Sequence, residues 1–436
     1  MAPVALASSA PVPSNHLNGG LPASTSSFSS PALDRRLFPD GLKTSGQHPP
    51  DPSALFPYAV FPKEIKGRTL WKGSDFEGKK ERWTRPFTPE EIEELGKAAD
   101  GYVASGKPMT AMSQELFPLP TLGPYFSGEL KDELLNGRGF VLFKNIPVEE
   151  WGDHKSAVAY MGLGTYFGYF VSQNGKGHVL GHVKDLGEDP TKTERVRIYR
   201  TNARQFFHTD GTDLVGLLCI SRAQEGGESD IASTHNIWNI LQREHPDVAE
   251  TLTTPNWYFD RKGEVSKGQG EYYQSAVMFL ENTPESELGS GSKDKDRDSQ
   301  RRLYLRFDPN NVTSLGRFNS GPNPEIAPLS PAQLHAIRTL EEVAKREALH
   351  MVLEPGDIQL LANHHVMHAR TAYTDWPAGS VDESGRARKR RQLMRLWLAA
   401  PETEGGWKLP YPDSKQKKRG GIQVDDTPPY CPLDAE

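Results

Sequence analysis

The chain has 436 residues, a formal net charge of −6 at pH 7, 36% hydrophobic residues and 25% charged residues. This composition is typical of a folded globular protein, and no apolar run approaches the roughly 20 residues needed for a membrane-spanning helix. The negative net charge argues against binding driven by neutralisation of phosphates, so we expect neither a nucleic acid nor a membrane as partner.

Composition divides the chain into a tail, a large domain and a second tail. Residues 1–50 are rich in Ser, Pro, Ala and Gly and offer too little apolar surface to fold, so a disordered tail is predicted. Residues 51–412 are predicted to form one domain with polar inserts at about 281–302 and 376–390. The polar, Pro-rich residues 413–436 are predicted to be a flexible C-terminal tail.

The chain contains two cysteines, Cys219 and Cys431, and nothing in their context suggests a disulfide framework. This usage is typical of a reducing compartment, and we expect a cytoplasmic protein. The oligomeric state cannot be read from one sequence.

Helices are predicted where capping residues precede an apolar pattern. Thr88 can cap a helix that begins at Pro89, and a further helix is predicted at about residues 237–243. Ser330 can cap a third helix, in which Leu334, Ile337, Leu340 and Val343 are predicted to share one face.

Short apolar runs separated by turn residues predict strands. These strands are predicted at residues 139–143, 214–220, 229–233, 303–307, 358–362 and 391–398. Many strands with few helices indicate a mainly β fold with flanking helices.

The triplet His208-Thr209-Asp210, followed by a distal histidine, offers a ligand set for a divalent metal. Side chains two residues apart in extended chain point to the same side, so His208 and Asp210 can reach one ion. Two imidazoles and one carboxylate leave positions open, as Fe(II) oxygen chemistry requires. The triplet alone is weak, because a surface histidine beside a solvated aspartate is common.

Three histidines crowd the distal position, namely His364, His365 and His368. We choose His368 because it precedes an arginine, an aromatic segment and the basic strand, and we expect the other two to be structural or to support the ligands.

Arg391 and Arg395 are predicted to share one face of a strand with Leu393 and Trp397. A partly buried guanidinium binds a carboxylate through two parallel hydrogen bonds, so one arginine can hold an organic co-substrate and the other an anionic substrate. Two arginines on a solvated strand face are the alternative.

Together these segments resemble the TauD/TfdA (taurine dioxygenase-like) group within the clavaminate synthase-like superfamily, and look closest to its fungal members. The matching stretches, within about residues 55–410, are NGRGF at 136–140, LGHVKDL at 180–186, FHTDGTDLVGLL at 207–218, EGGESDIAS at 225–233, GDIQLLANHHVMHARTAY at 356–373 and RQLMRLWLAAPE at 391–402. The resemblance implies a double-stranded β-helix (jelly-roll) core.

The resemblance also implies residue roles. His208, Asp210 and His368 would bind Fe(II) and carry catalysis. Ser229 would give a hydroxyl to 2-oxoglutarate, and Arg391 would hold that co-substrate with Arg395 nearby. Arg395 would meet the anion of the substrate, together with Arg204, which lies four residues before His208.

The function implied is that of an Fe(II)- and 2-oxoglutarate-dependent dioxygenase. It would use O2 to oxidise a small molecule, with release of succinate and CO2. We expect an anionic or amino-acid-derived metabolite of secondary metabolism. Hydroxylation, desaturation and cyclisation stay open as outcomes.

Two other classes of protein share part of this residue pattern. A non-catalytic jelly-roll binding protein would not need three ligands and an arginine pair. A zinc hydrolase could use His208, Asp210 and His368, since zinc accepts mixed histidine and carboxylate ligands, but it leaves the arginines without a role.

Overall fold

The computed structural model describes residues 55–281, 301–408, 419–422 and 427–435. The predicted tail over residues 1–50 and nearly all of the first polar insert lie outside the described residues. The second insert is described: the guanidinium of Arg388 lies 3.9 Å from the ring centroid of Trp376, and Val381 pairs with Ala387.

The strands of the described residues are numbered in chain order. They are β1 Thr84–Pro86, β2 Phe140–Lys144, β3 Tyr169–Phe170, β4 Leu180–Val183, β5 Gln205–His208, β6 Leu214–Ser221, β7 Glu225–Gly226, β8 Ser229–Ser233, β9 Trp257–Asp260, β10 Tyr272–Ser275, β11 Met278–Leu280, β12 Leu303–Leu305, β13 Leu349–Met351, β14 Ile358–Ala362, β15 Val366–Arg370, β16 Tyr373–Thr374 and β17 Gln392–Ala399.

The α-helices are numbered in the same way. They are α1 Pro89–Ala104, α2 Leu122–Tyr125, α3 Lys131–Asn136, α4 Val148–Gly164, α5 Thr234–Glu244, α6 Pro246–Thr253, α7 Pro309–Thr313, α8 Gly316–Asn319 and α9 Pro331–Glu347. A π-helical turn, Phe126–Leu130, joins α2 to α3. Among the described residues, every helix is too short or too polar to traverse a lipid bilayer.

Two sheets form the centre of the molecule. One has seven strands, in the order β1-β2-β14-β6-β17-β3 with β4 also paired to β17, and the other has four in the order β13-β8-β15-β5. Apart from the parallel pair β1–β2, the pairings in both sheets are antiparallel. The fold is therefore a jelly roll with flanking helices, as predicted.

An apolar layer lies between the sheets. Its side chains come from both sheets: Phe140, Leu142, Val215, Leu361, Leu393 and Trp397 from the larger, and Ile231, Leu349, Met351 and Val366 from the smaller. Because side chains alternate along a strand, the residues between them face outward. In β17 these are Met394, Leu396 and Leu398, which join the cluster that includes residues of α1 and α4.

Strand β15 shows the same alternation. Val366 lies in the layer between the sheets, whereas Met367 and Ala369 belong to the outer cluster with residues of α5, α6 and α9. This period of two directs His368 and Arg370 toward the interior between the sheets. The fold thus places two polar side chains where apolar ones would otherwise fill space.

The capping predictions are confirmed. Thr88 accepts a hydrogen bond from the Glu91 backbone and Glu91 returns one, so α1 begins with a capping box. Ser330 and Gln333 form the same arrangement at α9.

The predicted apolar face of α9 is partly wrong. Leu340 and Val343 are buried, but Leu334 is 41% exposed. A spacing of three residues falls short of a full helical turn, so the three steps from Leu334 to Val343 drift around the helix. The buried face instead carries Gln333, Ala336, Leu340, Val343 and Ala344.

The flexible tail over residues 413–436 stays a prediction, but the parts of it that the structure describes, residues 419–422 and 427–435, contact the domain. The Gly421 backbone donates to the Gly211 carbonyl at 2.6 Å, and Val179 donates to the Tyr430 carbonyl at 2.9 Å. Arg419 forms a buried ion pair with Asp213 at 2.7 Å, and Cys431 packs against the cluster around α1 and α4. These few contacts anchor the described parts of the C-terminal segment to the domain, although its composition is polar.

Candidate active site

His208 ends β5 and Asp210 follows it in a loop that polar contacts hold in place. The Asp210 backbone donates to Asn363 Oδ1 at 2.9 Å, and Asn363 Nδ2 donates to the Thr212 carbonyl at 2.8 Å. Thr209 points the other way and accepts from the Phe307 backbone at 2.9 Å. The local chain therefore presents His208 and Asp210 to the same side.

His368 lies opposite His208 because β15 pairs with β5 in that register. Their ring centroids are 4.0 Å apart. Asp210 Oδ1 lies 3.9 Å from His208 Nε2, and Asp210 Oδ2 lies 3.8 Å from His368 Nε2. One potential ligand atom of each residue falls within 4.8 Å of the others, and no other such group of three occurs among the described residues.

Hydrogen bonds around this cluster fit metal binding. His208 Nδ1 donates to the Phe206 carbonyl at 2.9 Å, which leaves Nε2 as the acceptor nitrogen. Gln205 donates to that same Nε2 at 2.9 Å and so occupies the lone pair that a metal ion would take. Trp397 Nε1 donates to Asp210 Oδ2 at 3.0 Å and orients the carboxylate.

The protonation states also suit a cation. Burial lowers the pKa of His368 to about 3, aided by the neighbouring His208. Burial raises the pKa of Asp210, but the positive charge of Arg395, together with the neighbouring imidazoles and the Trp397 hydrogen bond, outweighs it, so the net shift is downward. Neutral imidazoles and an ionised carboxylate are the forms that coordinate metals.

His364 and His365 lie outside this cluster. His364 Nε2 contacts Asp213 Oδ1 at 2.5 Å, and His365 Nε2 donates to the Leu134 carbonyl at 3.2 Å. Strand β14 ends at Ala362, so both histidines fall in the turn before β15.

An inner cavity adjoins the cluster. Its lining residues are Val183, Gln205, His208, Leu217, Gly227, Ser229, Leu353, His368, Ala369, Arg370, Arg391, Leu393 and Arg395. Ser229 is among them, with its hydroxyl 3.2 Å from Gln359 Oε1. The cavity therefore brings the predicted co-substrate residues beside the two histidines.

Arg391 is buried beside this cavity. One nitrogen, Nη2, donates to the Gly227 carbonyl at 2.9 Å, whereas Nη1 is buried without a hydrogen-bond partner among the described residues. Gly227 makes room for it, because a Cβ there would lie 2.5 Å from Arg391 Nε. Burial lowers the pKa of Arg391, so its charge would be stabilised by an anion.

Arg395 lies between the inner cavity and an outer cleft, because it lines both. Its Nε donates to Gln173 Oε1 at 2.8 Å, and its Nη1 lies 3.6 Å from Asp210 Oδ2. Asp210 and Trp397 line the outer cleft with it.

Arg204 lies away from the two cavities, and its contact with the substrate stays a prediction. Its guanidinium is hydrogen-bonded to Glu341 of α9 and lies over the ring of Phe206, and it lines neither cavity. The pairing of β15 with β5 is irregular, with Arg370 opposite Gln205 while His368 is opposite His208. This bulge turns Gln205, instead of Arg204, inward.

Sequence reasoning missed Gln205, Asn363 and Arg370. Arg370 carried a usable signal, because it lies two residues after His368 on the same strand and so shares its face. Gln205 and Asn363 carried none, since a bulge and a loop contact are set by distant strands.

The outer cleft carries a further set of cationic side chains that were not predicted. These are Arg197, Arg261, Lys262 and Arg306, which line the cleft with Asp210 and Arg395. The cleft also contains Asp260, Glu264 and Asp308. Two of these acids are engaged: Asp260 is bound by Arg317 at 2.6 Å and Glu264 by Arg197 at 3.3 Å.

A jelly roll that carries two histidines, an aspartate and a buried arginine around one cavity defines a class, the non-haem iron oxygenases that use a 2-oxo acid. Residues 105–397 match the family model described as "Taurine catabolism dioxygenase TauD, TfdA family". The chain belongs to this family. It is an oxidoreductase that uses Fe(II), 2-oxoglutarate and O2.

Two relatives match most of the chain. The FR-33289 synthase of Streptomyces rubellomurinus (strain ATCC 31215) is 28% identical over 374 residues, which cover 85% of this chain and 99% of the relative. The taurine hydroxylase-like protein SAT17 of Stachybotrys chartarum (strain CBS 109288 / IBT 7711) is 25% identical over 353 residues, covering 80% and 82%. The expected closeness to fungal members stays a prediction.

Among solved structures, an asparagine oxygenase in complex with Fe(II), 2S,3S-3-hydroxyasparagine and succinate is similar in fold. Its TM-score is 0.52 at 16% sequence identity, covering 73% of this chain and 94% of that chain. This likeness supports the jelly-roll architecture.

Proposed function

We propose that this oxygenase binds Fe(II) through His208, Asp210 and His368 and oxidises a C–H bond of a small anionic metabolite, with release of succinate and CO2. The observation that carries the proposal is the position of the three side chains. The two histidines line the inner cavity and Asp210 lines the outer cleft, so one metal would face both spaces.

The donor set suits the metal. Two neutral imidazoles and one carboxylate occupy one side of an ion and leave other positions for small ligands. When bound, Fe(II) supplies the activation of O2 coupled to oxidative decarboxylation of the 2-oxo acid. The part of the chain is to hold the reactants and to set the electrostatics around them.

In the inner cavity the chain binds the co-substrate. Arg391 offers the buried Nη1, which has no hydrogen-bond partner among the described residues, to the distal carboxylate of 2-oxoglutarate. Ser229 offers its hydroxyl from β8, and Gln359 holds that hydroxyl in place at 3.2 Å. Charge-assisted hydrogen bonds of this kind are strong in a buried site.

In the outer cleft the chain would bind the substrate. Lys262 lines this cleft, and burial lowers its pKa to about 8. Neither an ion pair nor a hydrogen bond is formed by its ammonium group among the described residues. With Arg395 near Asp210, an anionic group on the substrate would be held at Lys262 while the rest reaches toward the metal. An amino-acid-derived carboxylate is one such substrate.

A screen of metabolites for 2-oxoglutarate consumption and succinate formation tests the proposal. We expect slow succinate release with Fe(II), O2 and 2-oxoglutarate alone, and faster release with a carboxylate-, sulfonate- or phosphonate-bearing compound. Amides or esters of the same compounds should stimulate less.

The control for this screen is Asp210→Ala. We expect this variant to lose both the slow succinate release without an added compound and the faster release with one. Undiminished succinate formation in that variant would remove the assignment. If the neutral analogues stimulate succinate formation as strongly as the anions do, the proposal of an anionic substrate is wrong. The cytoplasmic location and the place in secondary metabolism stay predictions.

A further inference from the structure

A second buried arginine lies beside the inner cavity. Arg370 ends β15, two residues after His368, and its strand neighbours are Ser229 on one side and Gln205 on the other. All four residues line the inner cavity. Two residues of strand span about 6.7 Å, a distance that the chain of a five-carbon keto acid can cover from the metal ligand.

Arg370 and Arg391 are close to each other. Each guanidinium carbon lies 4.9 Å from the ring centroid of Tyr373. Both side chains are only 6% exposed. Two positive charges therefore share one poorly solvated space, an arrangement that is costly without an anion.

No carboxylate of the described residues neutralises this pair. Arg370 Nη2 donates to the Ala203 carbonyl, and its Nε and Nη1 are buried without a hydrogen-bond partner, as is Arg391 Nη1. The nearby acids are engaged elsewhere: Asp185 and Asp375 bind Arg390 at 2.9 and 3.2 Å. Three buried donor nitrogens are thus left beside a cavity, and a carboxylate, with about four lone-pair sites, matches them.

We propose that Arg370 binds the distal carboxylate of 2-oxoglutarate together with Arg391, so that the co-substrate is held by a two-arginine clamp. This proposal rests on the proposed function, which places 2-oxoglutarate in the inner cavity. Arg370 is a co-substrate-binding residue in this scheme, and its contact with Ala203 orients it through Nη2 alone.

Binding measurements on the Fe(II)-loaded protein without oxygen test the clamp. The dissociation constants of 2-oxoglutarate and of 2-oxopentanoate, which has a methyl group in place of the distal carboxylate, are measured by calorimetry. In Arg370→Ala we expect 2-oxoglutarate to bind at least about tenfold more weakly, since a charge-assisted hydrogen bond is worth that much. Binding of 2-oxopentanoate should change less than about twofold.

Three further variants complete the set. Arg391→Ala should show the same pattern as Arg370→Ala, and Arg370→Lys, which keeps the charge and loses the planar fork, should fall between wild type and Arg370→Ala. Arg346→Ala, a surface arginine paired with Glu244, should leave both constants unchanged. If Arg370→Ala does not fold, Arg370→Lys carries the test.

Equal weakening of both keto acids would show that Arg370 only supports the fold, and would overturn the clamp. Unchanged 2-oxoglutarate binding in both Arg370 variants would overturn it as well. Wild-type protein that fails to bind 2-oxoglutarate would overturn the proposed function itself, and this outcome is distinct because it appears before any variant is made.

Discussion

His208 and His368 face each other across the antiparallel pair β5 and β15, with ring centroids 4.0 Å apart. The two residues are 160 positions apart in the chain. Their meeting depends on strand register, since a slip of one residue would turn His368 to the outer face. Asp210 then completes a three-residue group whose carboxylate is held by Trp397 and Arg395.

Loss of the carboxylate should remove iron. In Asp210→Asn the amide oxygen can still accept from Trp397, so the fold should persist while Fe(II) affinity falls more than about a hundredfold. Metal titration followed by thermal unfolding of the metal-free protein measures both quantities. Trp397→Phe is the milder variant, and we expect a loss of about 10–100-fold because only the orienting hydrogen bond is lost. Equal iron affinity in wild type and Asp210→Asn would contradict the ligand assignment.

Lys262 should make substrate use dependent on pH. Its pKa is lowered to about 8, so its charge, and with it the attraction for an anionic substrate, should fade as the pH rises through that value. The check is the pH profile of 2-oxoglutarate consumption stimulated by an anionic substrate found in the screen. Lys262→Arg stays charged and should hold the stimulated rate to higher pH. Superimposable profiles of the two proteins would show that Lys262 does not meet the anion.

The C-terminal segment should be a stabilising part of the fold. Asp213 is buried and accepts from Arg419 Nε at 2.7 Å and from the Ala400 backbone at 2.8 Å. Arg419→Ala leaves the buried carboxylate of Asp213 without its ion-pair partner. We therefore expect this variant to lower the free energy of unfolding by about 3–5 kcal/mol. Denaturant titration measures it. Arg222→Ala, which breaks an exposed pair with Glu354, should change it by less than about 1 kcal/mol. Similar effects of the two variants would mean that the segment is dispensable.

A buried histidine outside the site should make stability fall in acid. His235 accepts from Thr69 at Nδ1 and donates to the Leu303 carbonyl at Nε2, and burial lowers its pKa from 6.5 to about 4. The unfolded chain therefore binds a proton that the folded chain does not, between about pH 6.5 and 4. The contribution of His235 to the free energy of unfolding is therefore fully present above this pH range. It falls by about 1.4 kcal/mol per pH unit as the pH drops through the range.

His235→Gln tests this origin of the acid sensitivity. Over the same pH range, unfolding of the variant should take up one proton fewer than unfolding of the wild type. Its free energy of unfolding should therefore change less steeply with pH. The check is the free energy of unfolding, measured by denaturant titration at several pH values. If it depends on pH in the same way in wild type and variant, groups other than His235 cause the acid sensitivity.

Much of the architecture could be predicted from local patterns. Capping residues such as Thr88 and Ser330 mark helix starts because their side chains satisfy backbone N–H groups within the same turn. The run after Asp210 and the run before Asn363 are both apolar enough to be buried strands, and the structure has them as β6 and β14.

Local composition is a poor guide where contacts between distant segments decide the structure. The segment at residues 419–422 is polar and glycine-rich. It is nevertheless anchored, because Arg419 donates a hydrogen bond to the buried carboxylate of Asp213. The irregular pairing of β5 with β15 likewise presents Gln205 to the inner cavity, which the spacing of residues before His208 does not indicate.

The sequence by itself determined which residue types are available and which of them share a strand face, since alternation is a property of the extended chain alone. It thus indicated His208, Asp210, Arg391 and Arg395. The order of the residues around the distal histidines also favoured His368. Only the tertiary structure decided that Arg370 faces the inner cavity and that Lys262 faces the outer cleft. The physical reason is that strand register and β-bulges are set by pairing between segments far apart in the chain, and no local pattern encodes that pairing.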